Sequence, residues 1–138
     1  MPTENIQIVR QAFHAFVLRD VKSVLRVMDA DVDFSAPGTQ RLAGREPSYH
    51  GHDGVQTYFE DVANVWEELE VFLHEYHEVD DERVLVAGRV RAQAKDGRIV
   101  DQPAQWAWAI KDGKIVWGRV FTDRKQALRE LELAASVG

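Results

Sequence analysis

An aromatic β-hairpin in the last third of the chain most constrains its fold. Two β-prone runs, Gln105 to Lys111 and Ile115 to Phe121, flank the dipeptide Asp112-Gly113. Both residues of an Asp-Gly pair tolerate the positive φ of a tight turn, so the pattern is a strong hairpin signal. The two runs contain the tryptophans Trp106, Trp108 and Trp117. The hairpin predicts a curved sheet that carries large rings.

The first half of the chain shows helical periodicity. Apolar residues recur at spacings of three and four from Glu4 to Arg19, from Val21 to Met28 and from Asp53 to Glu68. Each segment is predicted to be a helix, with Asp20 as the N-cap of the second. The polar stretch from Thr39 to Gly51 is rich in turn formers, so it predicts a loop at the rim or lid of a pocket.

Alternating patterns predict the strands. A short strand is expected from Asp31 to Ser35, and a closing helix from Arg124 to Ala135, capped by Thr122 or Asp123. Between them, an antiparallel meander is predicted for Leu69–Val79, Val84–Lys95, Ile99–Lys111 and Ile115–Phe121. Helices followed by a long meander give an α+β order, in which a curved antiparallel sheet wraps around helices and encloses a cone-shaped pocket.

Composition excludes several classes of protein. A chain of 138 residues fits one domain spanning residues 1–138, and it contains no cysteine for disulfides or thiolate chemistry. The net charge of -6, with no long basic run, disfavours nucleic acid as a partner. No apolar segment is long enough to span a membrane, so a cytoplasmic location without membrane contact is expected.

Three segments resemble the NTF2-like superfamily, and in particular its SnoaL-like, polyketide-cyclase-like branch, which is related to the ketosteroid isomerases. They are RDVKSVLRVMDADVDFSAPG, YHGHDGVQTYF and WAIKDGKIVWGRVFTDRKQAL. The resemblance covers most of the chain in the order of its elements. It implies the cone-shaped, cystatin-like fold with an internal pocket, a small hydrophobic molecule as the partner, and a homodimer.

Two catalytic sets known from this superfamily do not match the sequence. Where a ketosteroid isomerase carries its general-base aspartate, this chain has Ala36; its oxyanion aspartate would fall near Trp106, and its first-helix tyrosine near Ala12 or Phe13. The epoxide-hydrolase type needs an Arg-x-Asp pair, for which Arg89-Val90-Arg91 supplies only arginines. Neither mechanism is expected here.

Two weaker catalytic candidates remain. Asp123 is the nearest match to the general acid/base aspartate that the cyclase branch carries near the end of its last strand. A role as helix cap beside Arg124 and Lys125 explains this residue without any catalytic function, and it is the preferred interpretation. His74 could line the cavity as a proton shuttle, or it could be an exposed strand histidine.

The aromatic residues suggest a binding pocket. Trp106 and Trp108 share one strand face, while Trp117, Arg119 and Phe121 share a face of the next strand. If these faces are concave, they form an apolar chamber in which Arg119 pairs with a ligand carboxylate, enolate or phenol. If they are convex, they could form a sheet-to-sheet dimer interface. Tyr58 and Trp66, on the third helix, could also line the pocket.

The histidine pairs give no metal site. His50-Gly51-His52 and His74-Glu75-Tyr76-His77 have no convergent partner ligands, so no metal and no cofactor are expected. Two functional hypotheses follow: a module that binds a small hydrophobic, oxygenated or anionic ligand, and a cofactor-free cyclase or isomerase that acts by proton transfer. A carboxylate or imidazole inside the cavity would favour the enzyme.

Overall fold

A six-stranded sheet forms the frame of the structure, a computed structural model that describes residues 3–45 and 48–137. The spatial order of the strands is β2-β1-β6-β5-β4-β3. Their ranges are β1 Met28–Ser35, β2 Tyr49–His50, β3 Trp66–Asp80, β4 Arg83–Ala94, β5 Ile99–Lys111 and β6 Lys114–Phe121. The predicted meander is confirmed as β3 to β6, and β1 adds a parallel pairing with β6.

Helices cover both faces of this sheet. Their ranges are α1 Glu4–Val17, α2 Val21–Arg26, α3 Pro37–Ala43, α4 Gly51–Val65 and α5 Arg124–Val137. Apolar side chains of α1, α2 and α4 pack on the concave face, whereas Ala127 and Leu131 of α5 are buried on the convex face with Leu85. The predicted caps are present: Asp20 Oδ1 accepts from the Ser23 amide, and Asp123 Oδ2 from the Gln126 amide.

The predicted loop from Thr39 to Gly51 is wrong over most of its described part. Residues 37–43 form α3 and residues 49–50 form β2, while positions 46 and 47 lie outside the described residues. The helix is too short to show an apolar stripe, which explains why periodicity missed it. Two residues do mark this helix in the sequence. Pro37 lies in its first turn, and Gly44 follows its last turn with φ 70°, and proline and glycine are common at these two ends of a helix.

The helix before the meander also ends earlier than predicted. Trp66 is the first residue of β3 and not part of α4, although it remains buried. Further along β3 the pairing shifts between Leu73 and Glu75, which leaves His74 as the extra residue of a β-bulge. Gly88 lies opposite, where a Cβ atom would be 1.9 Å from the Phe72 carbonyl oxygen. The close approach requires glycine.

Register separates the two aromatic sets of the final hairpin. Trp106 pairs with Val120 and Trp108 with Gly118, so these residues share the concave face. Trp117, Arg119 and Phe121 instead pair with Ala109, Ala107 and Gln105 on the convex face. Neither of the two arrangements that the sequence left open describes the whole β6 set, because Trp117 lies outside the cavity lining whereas Arg119 and Phe121 contribute to it at the end of β6. Residues that pair directly across two adjacent strands point to the same face of the sheet. The tryptophans of β5 therefore share the concave face with the small residues of β6, and the large residues of β6 share the convex face with the alanines of β5.

Gly118 is the point where the concave face admits a large ring. A Cβ atom at this position would be 2.5 Å from Trp108 Cζ3 and 3.2 Å from Phe34 Cδ1. The Trp108 ring therefore lies against bare β6 backbone and stacks on Phe34 at a centroid distance of 6.0 Å and an interplanar angle of 8°. Because Gly118 has no side chain, the Trp108 and Phe34 rings can both lie against its backbone.

We expect Gly118→Ala to lower the free energy of unfolding by about 1–3 kcal/mol, because the added methyl group overpacks the Trp108 ring. Urea denaturation measures the change. Gly38→Ala is the control, since a Cβ atom at Gly38 meets nothing within 4 Å, and its unfolding free energy should stay within about 0.5 kcal/mol of wild type. Equal stability of the Gly118 variant and the control would contradict the packing role.

Candidate functional site

A cavity of about 530 Å³ lies between the helices and the concave face of the sheet. Its walls come from α1, α2, α3, α4 and every long strand, so residues from both halves of the chain meet there. The buried residues that line it include Phe13, Val24, Met28, Phe34, Ala36, Thr39, Val55, Trp66, Ala104, Trp106 and Trp108. The volume and apolar walls are typical of small-molecule sites in proteins.

One wall of the cavity is a set of perpendicular and stacked rings. Phe13 of α1 meets Trp106 edge-on at 5.4 Å and Trp108 edge-on at 5.7 Å between ring centroids. Phe34 of β1 stacks on the other side of Trp108. These ring contacts hold both tryptophans in fixed orientations, so this part of the lining is a rigid wall. The Trp108 Nε1 is buried and has no hydrogen-bond partner.

A second part of the lining comes from α4 and the start of β3. Tyr58 lines the cavity and its ring lies 4.9 Å from Phe34, 5.2 Å from Tyr49 and 5.9 Å from Phe16. Trp66 also lines the cavity, and its Nε1 donates to Thr39 Oγ1 at 2.9 Å. The sequence-predicted residues Tyr58, Trp66, Trp106 and Trp108 are thus brought together around one space.

The mouth of the cavity is polar. Six of the lining residues are exposed, and we call them the mouth: Pro37, Gly38, Arg41, Gln102, Thr122 and Gln126. Arg41 is the charged residue of this set, and no ion pair or hydrogen bond engages its side chain within the described part of the chain. An unpaired guanidinium at the entrance of an apolar cavity favours anionic ligands.

Arg119 is engaged elsewhere. Its Nη2 lies 3.1 Å from Asp33 Oδ2, and its Nη1 donates to the Asp33 and Gly118 carbonyl oxygens at 2.9 Å. The guanidinium also lies 4.9 Å from the centroid of the Trp117 ring. Arg119 and Phe121 still contribute to the lining near the end of β6, whereas Trp117 does not. The predicted anion partner is therefore already neutralised by a carboxylate of β1.

Neither catalytic candidate belongs to the lining. Asp123 is exposed at the start of α5, where it caps the helix. His74 is exposed in the bulge of β3. Among the described residues that line the cavity there is no Asp, Glu, His or Lys. The lining therefore offers donors, hydroxyls and apolar surface, and no group of ordinary general-base chemistry.

Two networks fix α3 at the cavity rim. At its start, Gln40 Oε1 accepts from the Ser35 hydroxyl at 2.5 Å and from the Ala36 amide at 2.7 Å. Beyond its end, the buried Asp61 accepts from Arg45 Nε at 3.0 Å and from the Tyr49 hydroxyl at 2.8 Å. The segment that carries Thr39 and Arg41 is thus anchored to β1 and α4.

Sequence reasoning missed Arg41, Thr39 and Gln102. Arg41 and Thr39 lie in the stretch that the sequence predicts as a loop. Gln102 lies within the predicted strand Ile99–Lys111, in which the aromatic positions are the ones that suggest a pocket. The proline and glycine at the ends of α3 could have shown that Thr39 and Arg41 share a short helix. The unpaired state of Arg41 has no sequence signal, because it depends on which carboxylates fold nearby.

The described residues contain no group of three or more side chains that could hold a metal ion. His52 Nε2 lies 2.9 Å from the Met28 carbonyl oxygen, which ties the start of α4 to β1. Within the described part of the chain, no helix is both long and apolar enough to cross a membrane.

The tyrosines resist ionisation. Burial raises the pKa of Tyr58 well above its ordinary value, and burial, followed by the hydrogen bond to Asp61, does the same for Tyr49. Burial also raises the pKa of Tyr76. The Tyr58 hydroxyl is therefore neutral at any physiological pH.

We expect phenolate absorbance to appear at higher pH in the folded protein than in the protein unfolded by guanidinium chloride. In the unfolded chain, tyrosine titrates near its unperturbed pKa of about 10. The folded state holds these protons more tightly, so the stability they confer is complete below about pH 10 and falls as pH rises further. Spectrophotometric titration and urea denaturation across this range test both statements. Coincident titration curves would contradict them.

Comparisons with known proteins agree with this architecture. The model of the SnoaL-like domain family matches residues 9–117. An NTF2-like protein of unknown function from Burkholderia pseudomallei K96243 is 28% identical, with a TM-score of 0.78, over 93% of this chain and 97% of that chain. No curated protein matches the chain.

Two similar structures contain small molecules. TerC, co-crystallised with polyporic acid, is 24% identical with a TM-score of 0.77, over 94% of this chain and 98% of that one. A Mycobacterium tuberculosis protein in complex with estradiol-17β-hemisuccinate is 13% identical with a TM-score of 0.71, over 90% and 97% of the two chains. At these identities the likeness establishes the shared fold.

Proposed function

Because the chain belongs to the SnoaL-like domain family, we propose that it binds a small hydrophobic, oxygenated organic ligand in the cavity beneath its sheet. The observation that carries this proposal is the cavity of about 530 Å³, whose buried walls are mainly aromatic and aliphatic. Removing a flat apolar ligand from water into such walls is favourable in proportion to the area buried. Trp106, Trp108, Tyr58 and Trp66 are among the rings that form this surface.

We assign the anion-binding role to Arg41 and not to Arg119. Arg41 is exposed at the mouth with no partner among the described residues, whereas Asp33 neutralises Arg119. A ligand carboxylate or enolate at the mouth keeps partial contact with water while its rings enter the cavity, so the charge need not be fully desolvated. This arrangement suits a flat organic acid.

Small-molecule complexes of similar folds support the proposal. TerC was crystallised with polyporic acid and the M. tuberculosis protein with estradiol-17β-hemisuccinate. Each ligand is an organic molecule, and each protein covers nearly the whole of this chain. Proteins of this fold have therefore been crystallised together with organic molecules.

The enzyme hypothesis draws less support from the site. A cyclase or isomerase needs a group that takes a proton from the substrate, and Asp123 and His74 both lie outside the described lining. Binding is accordingly the function we propose. Association into a homodimer and a cytoplasmic location stay predictions of the sequence.

A cavity-blocking variant tests the binding function. Val100 lines the cavity and is half-buried, so Val100→Trp should fill the space from the sheet side and abolish binding of fluorene carboxylate, a flat aromatic acid. Ile99→Trp is the matched control, because Ile99 is 75% exposed and lies outside the lining. Tryptophan fluorescence and calorimetry measure the affinity. Wild-type affinity in the Val100 variant would overturn the proposed site.

Charge selectivity tests the role of Arg41. We expect Arg41→Gln to weaken binding of fluorene carboxylate about fivefold and to leave binding of the neutral fluorene carboxamide unchanged, as for a partly exposed ion pair. Arg91→Gln removes the same charge from the convex face of β4, outside the cavity lining, and is the control. Equal losses for both ligands would show that Arg41 acts by shape and not by charge.

A further inference from the structure

We infer that Arg19, which lies outside the cavity lining, is a positioning residue that holds the Phe16 ring in place as part of that lining. This inference rests on the proposed binding function and names a residue beyond the cavity that sets its affinity. It follows from a strained backbone conformation at the end of α1, at a position where glycine would suit the fold better.

The backbone of Arg19 is in the left-handed region, which residues with a side chain rarely adopt. Its φ is 57°, one of two positive values at non-glycine residues in the described part of the chain. The Arg19 amide donates to the Phe16 carbonyl oxygen and the Asp20 amide to the Ala15 carbonyl oxygen, which is the Schellman motif at a helix end. The left-handed position of this motif is usually glycine, because a Cβ atom there costs free energy.

The Arg19 side chain turns back onto Phe16. Its Nη1 donates to the Phe16 carbonyl oxygen at 2.6 Å, and its guanidinium carbon lies 4.4 Å from the centroid of the Phe16 ring. The ion pairs of the described chain all use other cations. The guanidinium of Arg19 therefore engages a carbonyl group and the face of a ring, and not a carboxylate.

Phe16 connects this exposed guanidinium to the cavity. Its ring stacks on Tyr58 at 5.9 Å with an interplanar angle of 21°, and it meets Phe59 edge-on at 5.6 Å. All three residues line the cavity and are half-buried, and we call them the aromatic corner. Burial raises the pKa of the Tyr58 hydroxyl, and the Arg19 charge acts in the opposite direction. The charge of Arg19 therefore reaches a second ring of the corner.

The aromatic corner has little other cover from the end of α1. Val17 and Leu18, which follow Phe16, are 60% and 63% exposed. Rings that keep their places before a ligand arrives give tighter binding, because no free energy is then lost in ordering them. Strained backbone persists where the surrounding contacts maintain it, and such places are often functional. The contacts of Arg19 with Phe16 give the strain at this position a role in the site.

The variant Arg19→Gly separates the needs of the fold from those of the site. Glycine adopts the left-handed conformation without strain but cannot hold the Phe16 ring. We expect a urea midpoint at least as high as that of the wild type, together with an affinity for fluorene carboxylate about fivefold lower. If Arg19 acted only in ending the helix, the affinity would not fall while the midpoint was maintained.

Asp112→Gly is the matched control. Asp112, with φ 52°, is the other described non-glycine residue with a positive φ, and it lies in the exposed turn between β5 and β6, outside the cavity lining. Glycine at this turn should leave the affinity for fluorene carboxylate unchanged. Equal losses of affinity in both variants, wild-type affinity in Arg19→Gly, or a lower urea midpoint in Arg19→Gly would overturn this inference and leave the binding function standing.

Nuclear magnetic resonance of isotope-labelled phenylalanine rings gives a readout that needs no ligand. The Phe16 ring should flip faster in Arg19→Gly than in the wild type, while the flip rate of Phe13, which packs on Trp106 and Trp108, should not change. Equal Phe16 flip rates in the two proteins would overturn the role of Arg19. If the wild type binds no fluorene carboxylate, the binding function fails, and these flip rates alone decide whether Arg19 holds the ring.

Discussion

The hollow interior depends on the contact between the Trp108 indole and the bare backbone of Gly118. A concave sheet lined by two tryptophans would ordinarily be filled by its own side chains, because protein interiors pack as densely as organic crystals. Here the indole lies against the Gly118 backbone of β6, stacks on the Phe34 ring and meets the Phe13 ring at nearly a right angle. Space remains beneath the rings because they are pressed toward the strands and cannot tilt into the centre.

The polar rim follows from a second constraint, the anchoring of α3. A helix of seven residues is not stable by itself, so its position comes from tertiary contacts. Gln40 holds its start to β1, and Asp61 holds the segment after its end to α4 through Arg45 and Tyr49. These polar contacts are buried or half-buried, which makes them directional. They place Arg41 at the entrance, where its charge has no partner among the residues that the structure describes.

Much of the architecture was predictable from the sequence, because its elements have strong local signals. Apolar periodicity located α1, α2 and α4, and Asp-Gly turns located the hairpins of the meander. The observed ends of elements differ from the predicted ones where the local sequence preference is weak. Trp66 is an example, because it fits the apolar stripe of α4 but is the first residue of β3. The helix α3 escaped detection because its stability comes from distant partners and not from a pattern within seven residues.

The site was less predictable than the fold, for a reason that Trp117, Arg119 and Phe121 illustrate. Alternation shows which residues of one strand share a face, but not which face of its neighbour they join. That choice depends on pairing register and on the bulge between Ala109 and Ile110, both settled by the assembled sheet. Pairing of Arg119 with Asp33, across 86 residues, likewise has no local signal.

The parallel pairing of β1 with β6 affects how the chain folds. These neighbours lie at opposite ends of the chain, so the loop that joins them closes late and at considerable entropic cost. Both strands wall the cavity, which means that no fragment of the chain can form it in advance of the whole domain. Occupancy of the cavity therefore reports on global folding, and a bound molecule protects the entire domain from unfolding and not one segment of it.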